Sequence, residues 1–250
     1  MEYMRRSLSG IILLSFLISL AVRAQETSSP PESTPNPTAI EKFPIQPFTA
    51  SYRGEAYGMT LEDLGTRSLK STGDNRYRVE YNAKALMYSM EETSDFIWQD
   101  NRIVPLAYNS SRGTFLSKRN AQLIFNWDNM IANYQVRNRK GQFPISPGDQ
   151  DPITSALTLA LEIENKAESI SVSEAKKDAV KQRKFERVDT PELETPLGKI
   201  QTIHLQLVDD DPERQTEIWV HQQYPFIPVR LRQNDEGEVF LLELTALKLE

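Results

Sequence analysis

Gly148-Asp149-Gln150-Asp151-Pro152 runs directly into Ile153-Thr154-Ser155-Ala156-Leu157-Thr158-Leu159-Ala160-Leu161-Glu162-Ile163. This is the one strongly helical passage in a chain that otherwise alternates in short runs, so its reading decides the fold. Asp151 suits an N-cap, because a carboxylate can accept a hydrogen bond from an orphan N–H of the first turn. Pro152 then falls at the first helical position, where its missing N–H costs nothing. Ile153, Ala156, Leu157, Ala160, Leu161 and Ile163 recur at helical spacing, and Leu159 widens the apolar surface. A helix of about a dozen residues is roughly 20 Å long, enough to cross a small sheet. A rod this apolar needs cover on most sides.

Upstream, the period changes to two. Phe48, Ala50, Tyr52, Gly54 and Ala56 alternate with Thr49, Ser51, Arg53 and Glu55, the pattern of a half-buried strand. Arg76 to Ala85 alternates more cleanly, with Tyr77, Val79, Tyr81 and Ala83 on one face. Further strands are expected at 93–98, 102–109, 121–127 and 130–137. Between them stand turn signals: Gly73-Asp74-Asn75, Gln99-Asp100-Asn101, Ser110 to Gly113 and Asp128-Asn129. Strands at this spacing with polar turns predict an antiparallel meander. Downstream, strands are expected at 169–175, 180–188, 198–208, 217–221, 227–232 and 238–247. Ile97-Trp98 followed by Ile103-Val104-Pro105 has a faint echo in Ile218-Trp219 followed by Ile227-Pro228-Val229. The fold class expected is mainly β: a single antiparallel, strongly curved sheet or barrel, with one central helix packed on or in it.

The N-terminus sets the address. Arg5 and Arg6 precede an apolar run from Leu8 to Val22, and Val22-Arg23-Ala24 supplies small residues for cleavage. Basic start, short apolar middle and small-residue end are the parts of a secretory signal peptide. A membrane span needs about 20 apolar residues, so stable membrane insertion after signal cleavage is not expected. Residues 1–24 are therefore read as signal peptide, 25–44 as a Pro/Ser/Thr-rich linker with little to bury, and 45–250 as one β-rich domain. Loss of Glu2, Arg5, Arg6 and Arg23 moves the net charge from −6 to −8. An acidic protein is a poor partner for nucleic acid, which wants a basic patch. The chain has no cysteine, so it carries neither disulfides nor a lipoprotein anchor, and a periplasmic location is expected.

Few residues offer chemistry. The two histidines, His204 and His221, lack metal-ligand spacing, and no nucleophile elbow or phosphate loop occurs. His204 alternates with Ile203 and Leu205 and is expected to face away from the core. Asp149 and Asp151 read as turn and cap; the competing reading groups them with Glu92 as a carboxylate-dependent hydrolase site. No catalytic residue, cofactor or metal is expected, and the protein is read as not an enzyme. The more informative set is aromatic. Tyr52, Tyr77, Tyr81, Phe96, Trp98, Tyr108, Phe125, Trp127 and Tyr134 turn to one side if the alternation holds. Glu92 and Ser94 share that side and can partner buried polar tips. Such a face is either a lined cavity or a solid core. Tyr52, Tyr81, Trp98, Trp127, Leu157 and Leu161 are the residues expected to line a site for a lipid or other hydrophobic ligand; the alternative is an envelope scaffold that takes a protein partner and no ligand.

Several motifs in order carry a resemblance. They are Phe48-Thr49-Ala50-Ser51-Tyr52, Ser94 to Trp98 with Arg102 to Tyr108, Gln150-Asp151-Pro152, Thr195-Pro196-Leu197-Gly198, and Ile218-Trp219 with Tyr224 to Arg230. Together, over about residues 47–249, they resemble the bacterial family known as domain of unknown function 3108. The resemblance implies an exported, mostly antiparallel β envelope protein with no established activity. The tryptophan strand and the proline strand after it are also similar to those of periplasmic lipoprotein carriers, whose helix-covered half-barrel holds acyl chains.

Overall fold

The computed structural model describes residues 42–250, apart from 57, 58, 86, 115, 165, 166, 210 and 212. The expected signal peptide, and the linker as far as residue 41, lie outside the described residues. Among the described residues run fifteen strands and one helix. The first half holds β1 (Phe48–Ala56), β2 (Met59–Gly73), β3 (Arg76–Ala85), β4 (Tyr88–Gln99), β5 (Arg102–Thr114), β6 (Ser117–Asn126), β7 (Ile131–Val136) and β8 (Arg139–Pro144). After α1 (Thr154–Ile163) come β9 (Ser169–Lys176), β10 (Ala179–Asp189), β11 (Glu192–Thr195), β12 (Gly198–Leu207), β13 (Arg214–His221), β14 (Pro228–Asp235) and β15 (Glu238–Leu249).

The strands form one antiparallel sheet in the order β8-β7-β6-β5-β4-β3-β2-β1-β15-β14-β13-β12-β10-β9, with β11 beside β12. β1 to β8 are a meander, as the spacing predicts, and a two-residue turn joins β4 to β5. Asp100 and Asn101 both hold positive φ there, 52° and 56°, the geometry that matches a hairpin's twist. The sheet is not closed. The barrel half of the expectation is therefore corrected: β8 and β9 remain unpaired with each other, and β9 instead takes a parallel bridge between Glu174 and Gln150.

Three strands escape the alternation reading: β2, β8 and β11. In β2 three consecutive residues, Arg67, Ser68 and Leu69, are buried, so no two-residue period appears. β8 buries only Phe143, and β11 is four exposed or half-buried residues. The turn expected at Ser110–Gly113 is also corrected. β5 continues through it, because Ser110, Ser111, Arg112 and Gly113 pair with both Glu92–Ser89 on β4 and Ala121–Lys118 on β6. The core reaches back to Phe43, inside the expected linker. Its ring lies 4.7, 5.4 and 5.1 Å from those of Tyr77, Phe96 and Trp98.

Two apolar clusters share the helix. Ile153, Leu157 and Ala160 join the larger one, with aromatic side chains of β1, β3, β4, β5, β6 and β8. Leu159 and Ile163 join the smaller one, with Ile170, Val172, Phe185, Ile203, Leu205, Leu207 and Val220. The helix thus has the cover its composition demands. The echoing tryptophans part company: Trp98 enters the larger cluster, whereas Trp219 stacks on His204, ring centroids 4.3 Å apart. His204 alternates with Ile203 and Leu205 and stays out of their apolar cluster, as expected, yet with Trp219 stacked on it only 8% of it is exposed. Its Nδ1 lies 3.0 Å from Asp189 Oδ1.

Candidate functional site: an aromatic face and its polar margin

All nine aromatic residues expected on one side meet in one cluster. Tyr52, Tyr77, Phe96, Trp98, Tyr108 and Phe125 are buried in it, and Tyr81, Trp127 and Tyr134 pack against it half-buried. The period-two pleat of β1, β3, β4, β5, β6 and β7 produces this grouping, since alternate residues of neighbouring strands share a face. The six expected site residues meet there too: Tyr52, Trp98 and Leu157 inside, Tyr81, Trp127 and Leu161 at its border. Local packing fixes several rings. Trp127 lies nearly parallel to Phe125 at 5.6 Å and donates its indole N–H to the Pro105 carbonyl at 2.7 Å. Tyr134 lies over Gly141 on β8, where a Cβ would stand 2.8 Å from the ring; only glycine admits that approach.

The polar tips divide into two groups. Tyr108 donates its hydroxyl to Glu92 Oε1 at 3.0 Å, and Arg112 Nη2 lies 3.2 Å from the same oxygen. Burial, with the Glu92 charge beside it, raises the Tyr108 phenol well above its ordinary pKa. Tyr52 Oη and Trp98 Nε1 are also buried, yet neither has a hydrogen-bond partner among the described residues. Buried Tyr and Trp tips are normally paired.

The helix entry closes one margin of the face. Asp151 is fully buried and accepts the N–H groups of Ile153 and Thr154 at 2.8 and 3.0 Å, while the Ser94 hydroxyl donates to its other oxygen. The helix is assigned from Thr154, two residues beyond the expected start, although Ser155 N–H already bonds to the Asp151 carbonyl at 2.9 Å. Asp151 therefore caps the entry as its position predicts. Burial raises its pKa from 3.8 to about 6, against the lowering effect of those hydrogen bonds. Asp149 accepts Ser146 N–H at 2.7 Å and holds a turn. Glu92, Asp149 and Asp151 thus each serve different partners, and the contacts the hydrolase reading needs between them are not among those made by these carboxylates.

Gln150, present in the Gln150-Asp151-Pro152 motif but given no role by the sequence, ties the chain together. Its N–H donates to Ser173 O, its carbonyl accepts Ala175 N–H, and its side-chain amide donates to Ile103 O at 3.0 Å. One residue so joins β9 and β5, which stand fourteenth and fourth along the sheet. Beside this junction are Glu174, which takes Ser155 Oγ at 3.3 Å, and Lys176, whose pKa burial lowers from 10.5 to about 8. Among the described residues no cluster of three or more His, Cys, Asp or Glu is placed to hold a metal ion. No helix among them is long and apolar enough to cross a membrane.

Comparison with known proteins bears on family and fold. The family model described as protein of unknown function (DUF3108) matches residues 48–243. A β-barrel-like protein of domain of unknown function DUF1849 from Brucella abortus superposes with a TM-score of 0.54 at 9% identity, covering 82% of this chain and 98% of the other. A putative lipoprotein from Parabacteroides distasonis reaches 0.28 at 8% identity, covering 82% and 96%. No curated protein matches the chain.

Proposed function

This chain belongs to the family of proteins of unknown function DUF3108, and from that premise we propose an exported, periplasmic, non-enzymatic protein that holds a hydrophobic, lipid-like ligand against its aromatic face. One observation carries the reading. Inside the aromatic cluster, Tyr52 Oη and Trp98 Nε1 are buried and unpaired among the described residues, whereas a core built only to be solid would pair them. An amphipathic guest offers both apolar surface and a polar partner, the combination that ligand pockets are lined to receive.

The junction at Gln150 supports a strongly curved sheet with α1 over its concave side, since one residue reaches strands ten places apart. The basic, short-apolar, small-residue N-terminus supports export, and the acidic charge speaks against nucleic acid. The test is to purify the protein from the periplasm without detergent and analyse its chloroform–methanol extract by mass spectrometry. A stoichiometric lipid species supports the reading. Lipid at background level, together with no binding of added lipid, would sink it. Crosslinking in intact cells would then decide whether the face docks an envelope protein instead.

A further inference from the structure

Arg67 stands on β2 between Ala50 of β1 and Tyr81 of β3, on the side of Leu69 and the aromatic face. It is 1% exposed. Arginine keeps its charge whatever its surroundings, so burial here demands compensation. What surrounds it is mostly π-face: the guanidinium carbon lies 5.7 Å from the Phe48 ring centroid and 5.3 Å from that of Tyr81. Nη1 donates to the Phe226 carbonyl at 2.9 Å. Nε and Nη2 are buried and donate to nothing among the described residues.

The two idle nitrogens are not scattered. Nε and Nη2 form one edge of the guanidinium fork, with parallel N–H bonds whose spacing fits the two oxygens of a carboxylate or phosphate. On the adjacent strand Tyr52 carries a second buried, unpartnered group, its hydroxyl. Tyr52 feels the Arg67 charge, which lowers its pKa against the larger opposing effect of burial. The contrast with a paired buried charge in this sheet is sharp: Glu243, on β15, is 5% exposed and takes two arginines, Arg53 and Arg230.

We propose that the Nε–Nη2 edge of Arg67, with the Tyr52 hydroxyl on the neighbouring strand, is the seat for the oxyanion head group of an acyl-chain ligand. This rests on the hydrophobic-ligand reading above and specifies the polar end of that ligand. The chain of the guest would run along the aromatic face, and the head would supply the counter-charge. The connection between β13 and β14 closes over the seat: the Phe226 carbonyl holds Nη1, and its ring packs on Phe48 at 5.3 Å. Admission of a head group requires that connection to give way.

The test uses the purified full chain and three probes kept below their micelle concentrations: oleate, oleyl alcohol and an oleoyl lysophosphatidate. Binding is followed by intrinsic tryptophan fluorescence for wild type, Arg67→Lys and Arg67→Met. Wild type is expected to bind oleate or lysophosphatidate at least tenfold more tightly than oleyl alcohol; the tighter of the two acids identifies carboxylate or phosphate as the source. Arg67→Met should bind acid and alcohol alike, and Arg67→Lys should keep part of the preference without the bidentate edge. Folding is checked by thermal melting. Arg67→Met should melt no lower than wild type without probe, but should lose the upward Tm shift that oleate gives wild type. Equal wild-type affinity for acid and alcohol overturns this inference and leaves the ligand reading standing. Failure of all three probes overturns both. A large drop in Tm for Arg67→Met, with the acid preference retained, makes Arg67 a structural strut and overturns the inference alone.

Discussion

Two buried regions of this sheet handle charge in opposite ways. On one side of β1, β15 and β14, Glu243 is paired by Arg53 and Arg230, and the Glu243 oxygens divide between them. On the aromatic side and at the helix entry, Arg67 and Asp151 are each buried without an ion pair among the described residues. Arg67 is held by rings and one carbonyl, and Asp151 by N–H and O–H dipoles. The pKa directions follow. Burial pushes both carboxylates up, but hydrogen bonds from Arg230 and Arg53 bring Glu243 below its ordinary value, whereas the dipoles around Asp151 leave it at about 6. Paired charge makes a region stiff and self-sufficient. Unpaired charge leaves it polarised.

The comparison breaks most visibly at Asp151. Asp151→Ala removes a cap and strands the Ser94 hydroxyl, so a loss of about 3 kcal/mol is expected from urea unfolding. Asp151→Asn keeps an acceptor for Ile153 and Thr154, offers Ser94 an N–H, and should cost less than about 1 kcal/mol. Near-equal losses for the two variants would mean the carboxylate's charge, not its hydrogen-bond geometry, holds the entry.

Next in size is Glu243→Ala, which leaves two guanidinium groups facing each other. Because Arg53 and Arg230 are partly exposed, the expected loss is about 2 kcal/mol, below the range for a wholly buried pair.

A pH series sharpens the same contrast. The folded pKa of Asp151 is raised, so the native state holds a proton that the unfolded chain has lost; its contribution falls as pH rises from about 4 to about 6. Glu243 is lowered, so its contribution is present above the ordinary glutamate pKa and is lost as pH falls through the depressed one. Urea midpoints between pH 3 and 7 should flatten in the upper window for Asp151→Asn and in the lower one for Glu243→Gln. If Asp151→Asn retains the wild-type slope between pH 4 and 6, the assignment to Asp151 is wrong.

The smallest effect is expected at Arg139–Asp178, which joins the first residue of β8 to the turn before β10 at 2.9 Å but is largely exposed. Asp178→Asn should move stability by no more than about 0.5 kcal/mol.

Much of this architecture is readable before any coordinates. β3 coincides with its expected bounds, because Tyr77, Val79 and Tyr81 alternate with charged residues and nothing else competes. The nine aromatics are legible for the same reason. Arg67 is not, and the cause is physical. β2 mixes Gly65, Thr66 and Ser68 with leucines out of phase with one another, Leu64 against Leu61 and Leu69, and the register slips at Tyr52/Gly54 on its partner. Without a recognised strand, no pattern marks a charged residue as inward. Gln150 is hidden differently: its role is to meet β5 and β9 in space, and nothing local encodes that meeting. The signal that was present is its place beside a buried cap, where a polar side chain must find partners.

The seam of the sheet has its own consequence. β1 and β15, the first and last strands among the described residues, pair from Phe48↔Leu249 to Ala56↔Phe240 with one register shift at Ser51/Tyr52, and they lie eighth and ninth in the order. Each flank can build up by pairing of neighbouring strands, but the two flanks are joined only when β15 docks on β1, a contact that spans 190 positions between Arg53 and Glu243 and so carries a high loop-closure cost. Until that docking β1 presents an open edge, and removal of β15 would leave two half-sheets with no keystone between them.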